Sequence, residues 1–263
     1  MHHGPRVSAE RRRALAAAFG AGAEEYDGVR PGYPRAIADA CLEGLFSGEP
    51  LRIADIGAGT GIFTEQLAAA AAGQGREAAV VAVDVSEDML SRARERGLDA
   101  VLGAGEETGL ESQAFELVTY AQAWHWADPD AAGREAARLV RPKGRLALVW
   151  NQLDVEVPWV KRLSRIMRSG DIFYAPERPP RPGGRWRSPE LVVERFSQPL
   201  TPAQAVELAK TRSSYRTAPP EQRRRIEEQT LDYLVEELGF PEDEPFELPY
   251  LSFAWTFVRS SRV

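Results

Sequence analysis

With 263 residues, 43% of them apolar and 27% charged, the chain has the size and balance of a globular protein rather than a disordered segment. One cysteine, Cys41, excludes an intramolecular disulfide framework, and with only three histidines beside it a structural zinc site is not expected. A net charge of −6 argues against nucleic acid as a partner, because sequence-independent binding there rests on a basic balance or a basic face.

Good helix formers predict a helix over 10–19. The segment after it, 26–34, holds two prolines and two glycines and cannot be a regular helix. Helical spacing resumes over 37–46. From Leu51 the pattern alternates. Strands are expected over 51–56, 79–84, 100–102, 115–120 and 145–150, with helices over 62–72, 87–96 and 128–140 between them. This alternation implies a parallel sheet covered on both faces. Beyond Asn151 the order loosens. A helix over 158–168, a proline-rich loop over 174–187, a strand over 191–196, helices over 203–212 and 220–238, and a last strand over 253–258 are expected.

No apolar run approaches the ~20 residues that span a bilayer, so no membrane partner is expected. The stretch Arg11 to Phe19 is too short and too poor in bulky apolar residues for an export signal, and a cytoplasmic location is expected.

The strongest motif is Asp55-Ile56-Gly57-Ala58-Gly59-Thr60-Gly61, set between a strand and a helix. Alternate glycines let the backbone turn sharply and let a ligand approach where no Cβ intervenes. The third glycine comes one residue too early for a dinucleotide fingerprint, and no Walker lysine follows. Asp84 closes the second strand, where an acid can accept hydrogen bonds from both ribose hydroxyls of an adenosine. Both features sit at the carboxyl edge of the sheet, the ligand edge of open α/β folds.

With these residues in view, the sequence resembles the class I S-adenosylmethionine (SAM)-dependent methyltransferases over about residues 26–151. Arg30-Pro31-Gly32-Tyr33-Pro34 and Ala121-Gln122-Ala123-Trp124-His125-Trp126 are similar to segments of the trans-aconitate and related small-molecule methyltransferases. The family usually carries proline where this chain has Gly109. The resemblance implies an α/β fold with a Rossmann-like, seven-stranded, mostly parallel sheet, helices on both faces and a C-terminal helical cap or lid. One domain is expected over 1–263. It divides into N-terminal helices and a lid segment (1–50), a SAM-binding core (51–151), cap helices with a strand (152–246) and a last strand (247–263).

It further implies that Asp55, Gly57, Gly59 and Gly61 hold the methionine part of SAM, that Asp84 holds ribose, that Val85 also contacts the cofactor, and that Met89, Gly105 and Glu106 border adenine. Met89 alone reads equally as core. Gln122 is expected to hydrogen-bond near SAM. Tyr26, Arg30 and Tyr33 form either a lid over the cofactor, with Arg30 gripping a carboxylate of SAM or substrate, or a proline-anchored turn. Trp124, Trp126, Tyr33 and Asn151 are expected on the acceptor side, where aromatic faces attract a sulfonium and exclude water. His125 reads as a general base, or as a residue that only positions a neighbour. The loop with Arg178, Arg181, Arg185, Trp186 and Arg187 is either a mobile lid or a solvated surface loop.

The expected reaction is transfer of a methyl group from SAM to an oxygen or nitrogen of a small molecule, with a carboxylate acceptor favoured slightly. Action on RNA, a non-methylation reaction on the same fold and simple small-molecule binding are the alternatives. The oligomeric state is not legible.

Overall fold

The computed structural model describes residues 28–45, 50–170 and 178–260. The helix expected over 10–19 and Tyr26 lie outside them. Seven strands form one sheet in the order β3-β2-β1-β4-β5-β7-β6. They are β1 (Leu51–Ile56), β2 (Ala78–Asp84), β3 (Asp99–Leu102), β4 (Phe115–Ala121), β5 (Val140–Leu153), β6 (Trp186–Leu200) and β7 (Phe246–Arg259). β1 to β5 are mutually parallel, and β7 alone runs antiparallel, between β5 and β6. Strand order reverses between β1 and β4, so a crevice opens at their carboxyl ends.

Side chains alternate across the sheet. Ile56, Val118, Tyr120, Leu146 and Leu148 face one core with α4 (Pro129–Leu139). Ile53, Leu117, Ala147 and Val149 face a second core with α1 (Arg35–Leu42) and α2 (Ile62–Gly73). α3 (Glu87–Glu95) follows β2, its N-cap Ser86 accepting from the Met89 N–H. The helices α5 (Pro158–Ile166), α6 (Pro202–Lys210), α7 (Ser213–Arg216) and α8 (Pro220–Asp232) follow β5 and β6. A third apolar cluster packs Val160, Leu163, Leu208 and Ile226 of this group against Leu153, Leu200 and Tyr250.

Several boundaries differ from expectation. The last strand begins at Phe246, not 253, because Phe246, Leu248, Tyr250 and Leu251 are buried in their own ladder with β6. β6 begins at Trp186, inside the expected loop. There the Trp186 indole donates to the carbonyls of Gly133 (3.1 Å) and Gly183 (2.9 Å). Gly183 and Gly133 meet backbone to backbone: a Cβ on Gly133 would come within 2.3 Å of Gly183 N. The stretch around Gly183 is therefore fastened to α4, which does not fit a mobile lid. The helix expected over 220–238 ends as α8 at Asp232 and continues as a π turn, Tyr233–Glu237.

Candidate functional site

β1 delivers Ile56 to the crevice, and the chain then turns on Gly57, whose φ is +69°. The N–H groups of Gly57 and Ala58 both donate to the Val83 carbonyl, at 2.7 and 3.0 Å, pulling the loop toward β2. A Cβ on Gly57 would lie 2.4 Å from that of Ala123, so close approach to the segment after β4 requires glycine. Gly59 has φ +59° and open space where its Cβ would be. Gly61, φ +87°, starts α2 as its N-cap, and a Cβ there would press on Leu98.

Asp84 leaves β2 beside this loop. Its Oδ2 accepts from the Gly59 N–H (2.9 Å) and its Oδ1 from the Ser86 N–H (2.9 Å). Burial raises its pKa, and the backbone donors of Gly59, Ser86 and Val85 oppose the rise. A carboxylate has about four lone-pair sites. With the backbone donors of Gly59, Ser86 and Val85 on it, one remains for a hydroxyl donor. Val85 next to it is 53% exposed, an apolar face open at the same edge. Met89 is buried. Gly105 sits against the Tyr120 ring and accepts from the Tyr120 hydroxyl (2.7 Å). The Glu106 carboxylate accepts from the Asp128 N–H at the start of α4 (2.9 Å), so its side chain anchors the loop that follows β3.

Asp55 corrects an expectation. It is 0% exposed, and its two oxygens accept from Thr64 Oγ1 (2.8 Å) and Thr119 Oγ1 (2.6 Å). Burial pushes its pKa up to about 6 against those two hydroxyls. It braces β1 to α2 and β4 beneath the loop and does not reach the crevice. Trp124 corrects another: it is 7% exposed and packs edge-on against Tyr120 in the core, with ring centroids 5.0 Å apart. His125 and Trp126 follow in a 3₁₀ turn, with ring centroids 4.7 Å apart. Burial, and then the charge of Arg30, push the His125 pKa down to about 4. An imidazole so tuned is neutral at neutral pH and a poor proton acceptor, which disfavours the general base.

A small pocket of about 90 Å³ spreads from the glycine loop across β4 and β5 to β7. Arg30, Tyr33, Gly57, Gly59, Gln122 and Asn151 line it, as does Thr60; Asp55, Gly61, Asp84, Val85, Met89, Gly105, Glu106, Trp124, His125 and Trp126 do not. The strap from Arg30 to Tyr33 is held down on three sides. Tyr33 exchanges two backbone hydrogen bonds with the Gln66 amide (2.9 Å each), Asn151 Nδ2 donates to the Gly32 carbonyl (3.0 Å), and Arg30 donates to the Thr211 carbonyl (3.2 Å). Gln122, at φ +55°, donates from its amide to the Asn151 carbonyl. Turn and lining are thus the same residues.

Several lining residues were missed, among them Ile62, Phe63, Arg212 and Tyr250. Arg212 lies between α6 and α7, and Tyr250 on β7 pairs with Leu153 at the end of β5. Neither Arg212 nor Tyr250 belongs to a motif. Because β7 runs antiparallel, its beginning arrives at the ligand edge, so a correct start for that strand was the one signal available for Tyr250.

Residues 54–148 match the family described as "Methyltransferase domain". An uncharacterized methyltransferase of Mycobacterium bovis is 34% identical over 248 residues, 92% of this chain and 95% of that protein. A malonyl-acyl-carrier-protein O-methyltransferase of Methylococcus capsulatus is 34% identical over 152 residues, 55% of this chain and 54% of its own length. Among solved structures, a provisionally assigned type II methyltransferase of Anaeromyxobacter dehalogenans shares the fold. Its TM-score is 0.55 at 23% identity, over 86% of this chain and 97% of that one.

Proposed function

Because the chain belongs to the class I SAM-dependent methyltransferases, we propose that it transfers a methyl group from SAM to an oxygen, or a nitrogen, of a small molecule. The observation that carries this reading is the hydrogen bond from Gly59 N–H to Asp84. It joins the glycine loop to the end of β2 at the point where strand order reverses. The residues suit the cofactor. Gly57 to Thr60 would take its methionine part, the spare acceptor site of Asp84 its ribose, and Val85 with the turn at Gly105 and Glu106 its adenine. Bound there, SAM supplies an electrophilic methyl group.

The chain's own contribution is alignment and the exclusion of water. Tyr33 packs on Phe63 (ring centroids 4.7 Å apart), closing the strap side of the pocket with apolar surface. In this reading His125 positions its neighbours. The O-methyltransferase relative favours oxygen as the acceptor atom. The acidic balance speaks against RNA. Among the described residues no helix is long and apolar enough to cross a membrane.

Calorimetry with SAM, followed by incubation with isotope-labelled SAM and a panel of acids, phenols and amines read by mass spectrometry, tests this. Saturable SAM binding and label on one acceptor class are expected. Absence of both overturns the proposal.

A further inference from the structure

A groove of about 430 Å³ opens between the end of α5 and the start of α8, and it shares no lining residue with the pocket at the glycine loop. Arg165 and Arg168 enter it from the carboxyl end of α5, and Arg225 enters it from α8. All three are exposed, and among the described residues none of their guanidiniums makes an ion pair or a hydrogen bond. The other arginines of the same two helices are engaged. Arg162 pairs with Glu237 (2.6 Å), Arg224 with Glu228 (3.6 Å), and Arg223 donates to the carbonyls of Arg216 (2.6 Å) and Ala218 (2.9 Å). Glu221, the carboxylate of the groove, pairs with none of the three, although it stands one turn before Arg225 on α8. The uncommitted arginines of these helices are therefore the ones that face the groove.

The helix dipole favours a cation in the last turn of a helix, which accounts for Arg165 at the end of α5. It does not account for Arg225, which lies in the second turn of α8. Nor does it account for the backbone of Arg168, whose φ of +52° is a left-handed conformation that glycine adopts at lower cost. Like charges gathered round one groove repel each other, and a bound anion converts that repulsion into attraction. With Glu221 opposing the three arginines, the lining carries a net of two positive charges. A phosphomonoester, with a charge of about −1.5 to −2 at neutral pH, matches it. The planar guanidinium fork also suits phosphate oxygens. Ile166, Pro219 and Ile226 supply an apolar wall in the same groove. Its volume falls in the range of roughly 300–1,000 Å³ usual for small-molecule sites.

We propose that this groove is a second ligand site, separate from the cofactor pocket, which binds a phosphomonoester of a small organic molecule. Arg165, Arg168 and Arg225 hold the phosphate. Ile166, Pro219 and Ile226 hold the carbon body. The site does not depend on the methyltransferase reading, because none of its residues belongs to the glycine loop, the end of β2 or the strap.

Calorimetric titration of phenyl phosphate, inorganic phosphate and phenol into the full chain tests it, at about 0.1 M salt so that distant charges are screened. Each titration is run with and without SAM. Wild type is compared with Arg168→Gln, Arg225→Gln and Arg224→Gln, the last a control on α8 outside the groove. Phenyl phosphate is expected to bind one to one, roughly tenfold more tightly than inorganic phosphate because its ring gains the apolar wall. Phenol alone should not bind. Arg168→Gln and Arg225→Gln should each weaken phenyl phosphate about tenfold or more, the size of one charge-assisted hydrogen bond. Arg224→Gln should leave it within about twofold, as expected for a surface charge. The substituted side chains are exposed, so urea midpoints should match wild type in all three variants. No saturable binding of phenyl phosphate overturns the inference. So do equal affinities of wild type and Arg225→Gln, equal losses in Arg224→Gln and Arg225→Gln, and displacement of phenyl phosphate by SAM, which would put the anion at the glycine loop instead.

Discussion

The backbone N–H of Gly59 donates to the Asp84 carboxylate across 2.9 Å, and Ser86 N–H takes the other oxygen at the same distance. One acid thereby shapes the loop after β1 and the entry into α3 while keeping acceptor capacity in reserve. The hydrogen bonds that orient it are backbone bonds, so its position is set before any ligand arrives.

Replacing Asp84 by Ala should weaken SAM binding on the order of tenfold or more, through loss of charge-assisted hydrogen bonds and of the loop brace. Asp84→Asn should do nearly as badly. An amide offers one acceptor oxygen in place of two and sets an NH₂ against a backbone donor. Calorimetry decides: unchanged affinity in both variants refutes the ribose assignment.

The glycine loop permits a sharper comparison. In Gly57→Ala the new Cβ would stand 2.4 Å from Ala123 Cβ at φ +69°, so clash and left-handed strain add. A stability loss of about 2–4 kcal/mol in urea titration is expected. In Gly59→Ala the Cβ would meet no protein atom, so only the left-handed strain of φ +59° remains, about 1–2 kcal/mol. A ligand lying over the loop would meet that methyl. Gly59→Ala should therefore cost little stability and much SAM affinity. If its SAM affinity matches wild type, the ligand does not approach the loop from that side.

The core of the fold was legible because its signals are local. Apolar runs that stop at glycine mark strands, and Gly57, Gly59 and Asp84 carry their backbone or carboxylate roles in their own identity. Asp55 and Trp124 were misplaced because side-chain direction is decided by tertiary contacts. A short apolar run buried on both faces does not say whether its acid turns toward Thr64 and Thr119 or toward a ligand. Arg212 and Tyr250 were missed for the converse reason. Their place comes from the antiparallel insertion of β7 and from packing of α6 on the sheet, neither of which leaves a mark in neighbouring residues.

Two groups with opposite pKa shifts, Asp55 buried and His125 half-buried, yield the last prediction. Asp55 has its pKa raised from 3.8 to about 6, so the folded state holds the extra proton. Its contribution to stability is complete below pH 3.8 and is lost as pH rises through 6. His125 has its pKa lowered from 6.5 to about 4, so the unfolded state holds the extra proton. Its contribution is complete above pH 6.5 and is lost as pH falls toward 4. Between about pH 4 and 6 the two slopes oppose one another, each at most roughly 1.4 kcal/mol per pH unit. Wild-type stability should show little net dependence from this pair in that window. Asp55→Asn should gain stability relative to wild type as pH rises from 4 to 6, by up to on the order of 3 kcal/mol, because the ionised carboxylate no longer has to be buried. His125→Gln should lose stability relative to wild type over the same range, by a similar amount. Urea titrations at half-unit pH intervals measure both differences. Parallel curves for all three proteins would show that neither group titrates as its burial requires.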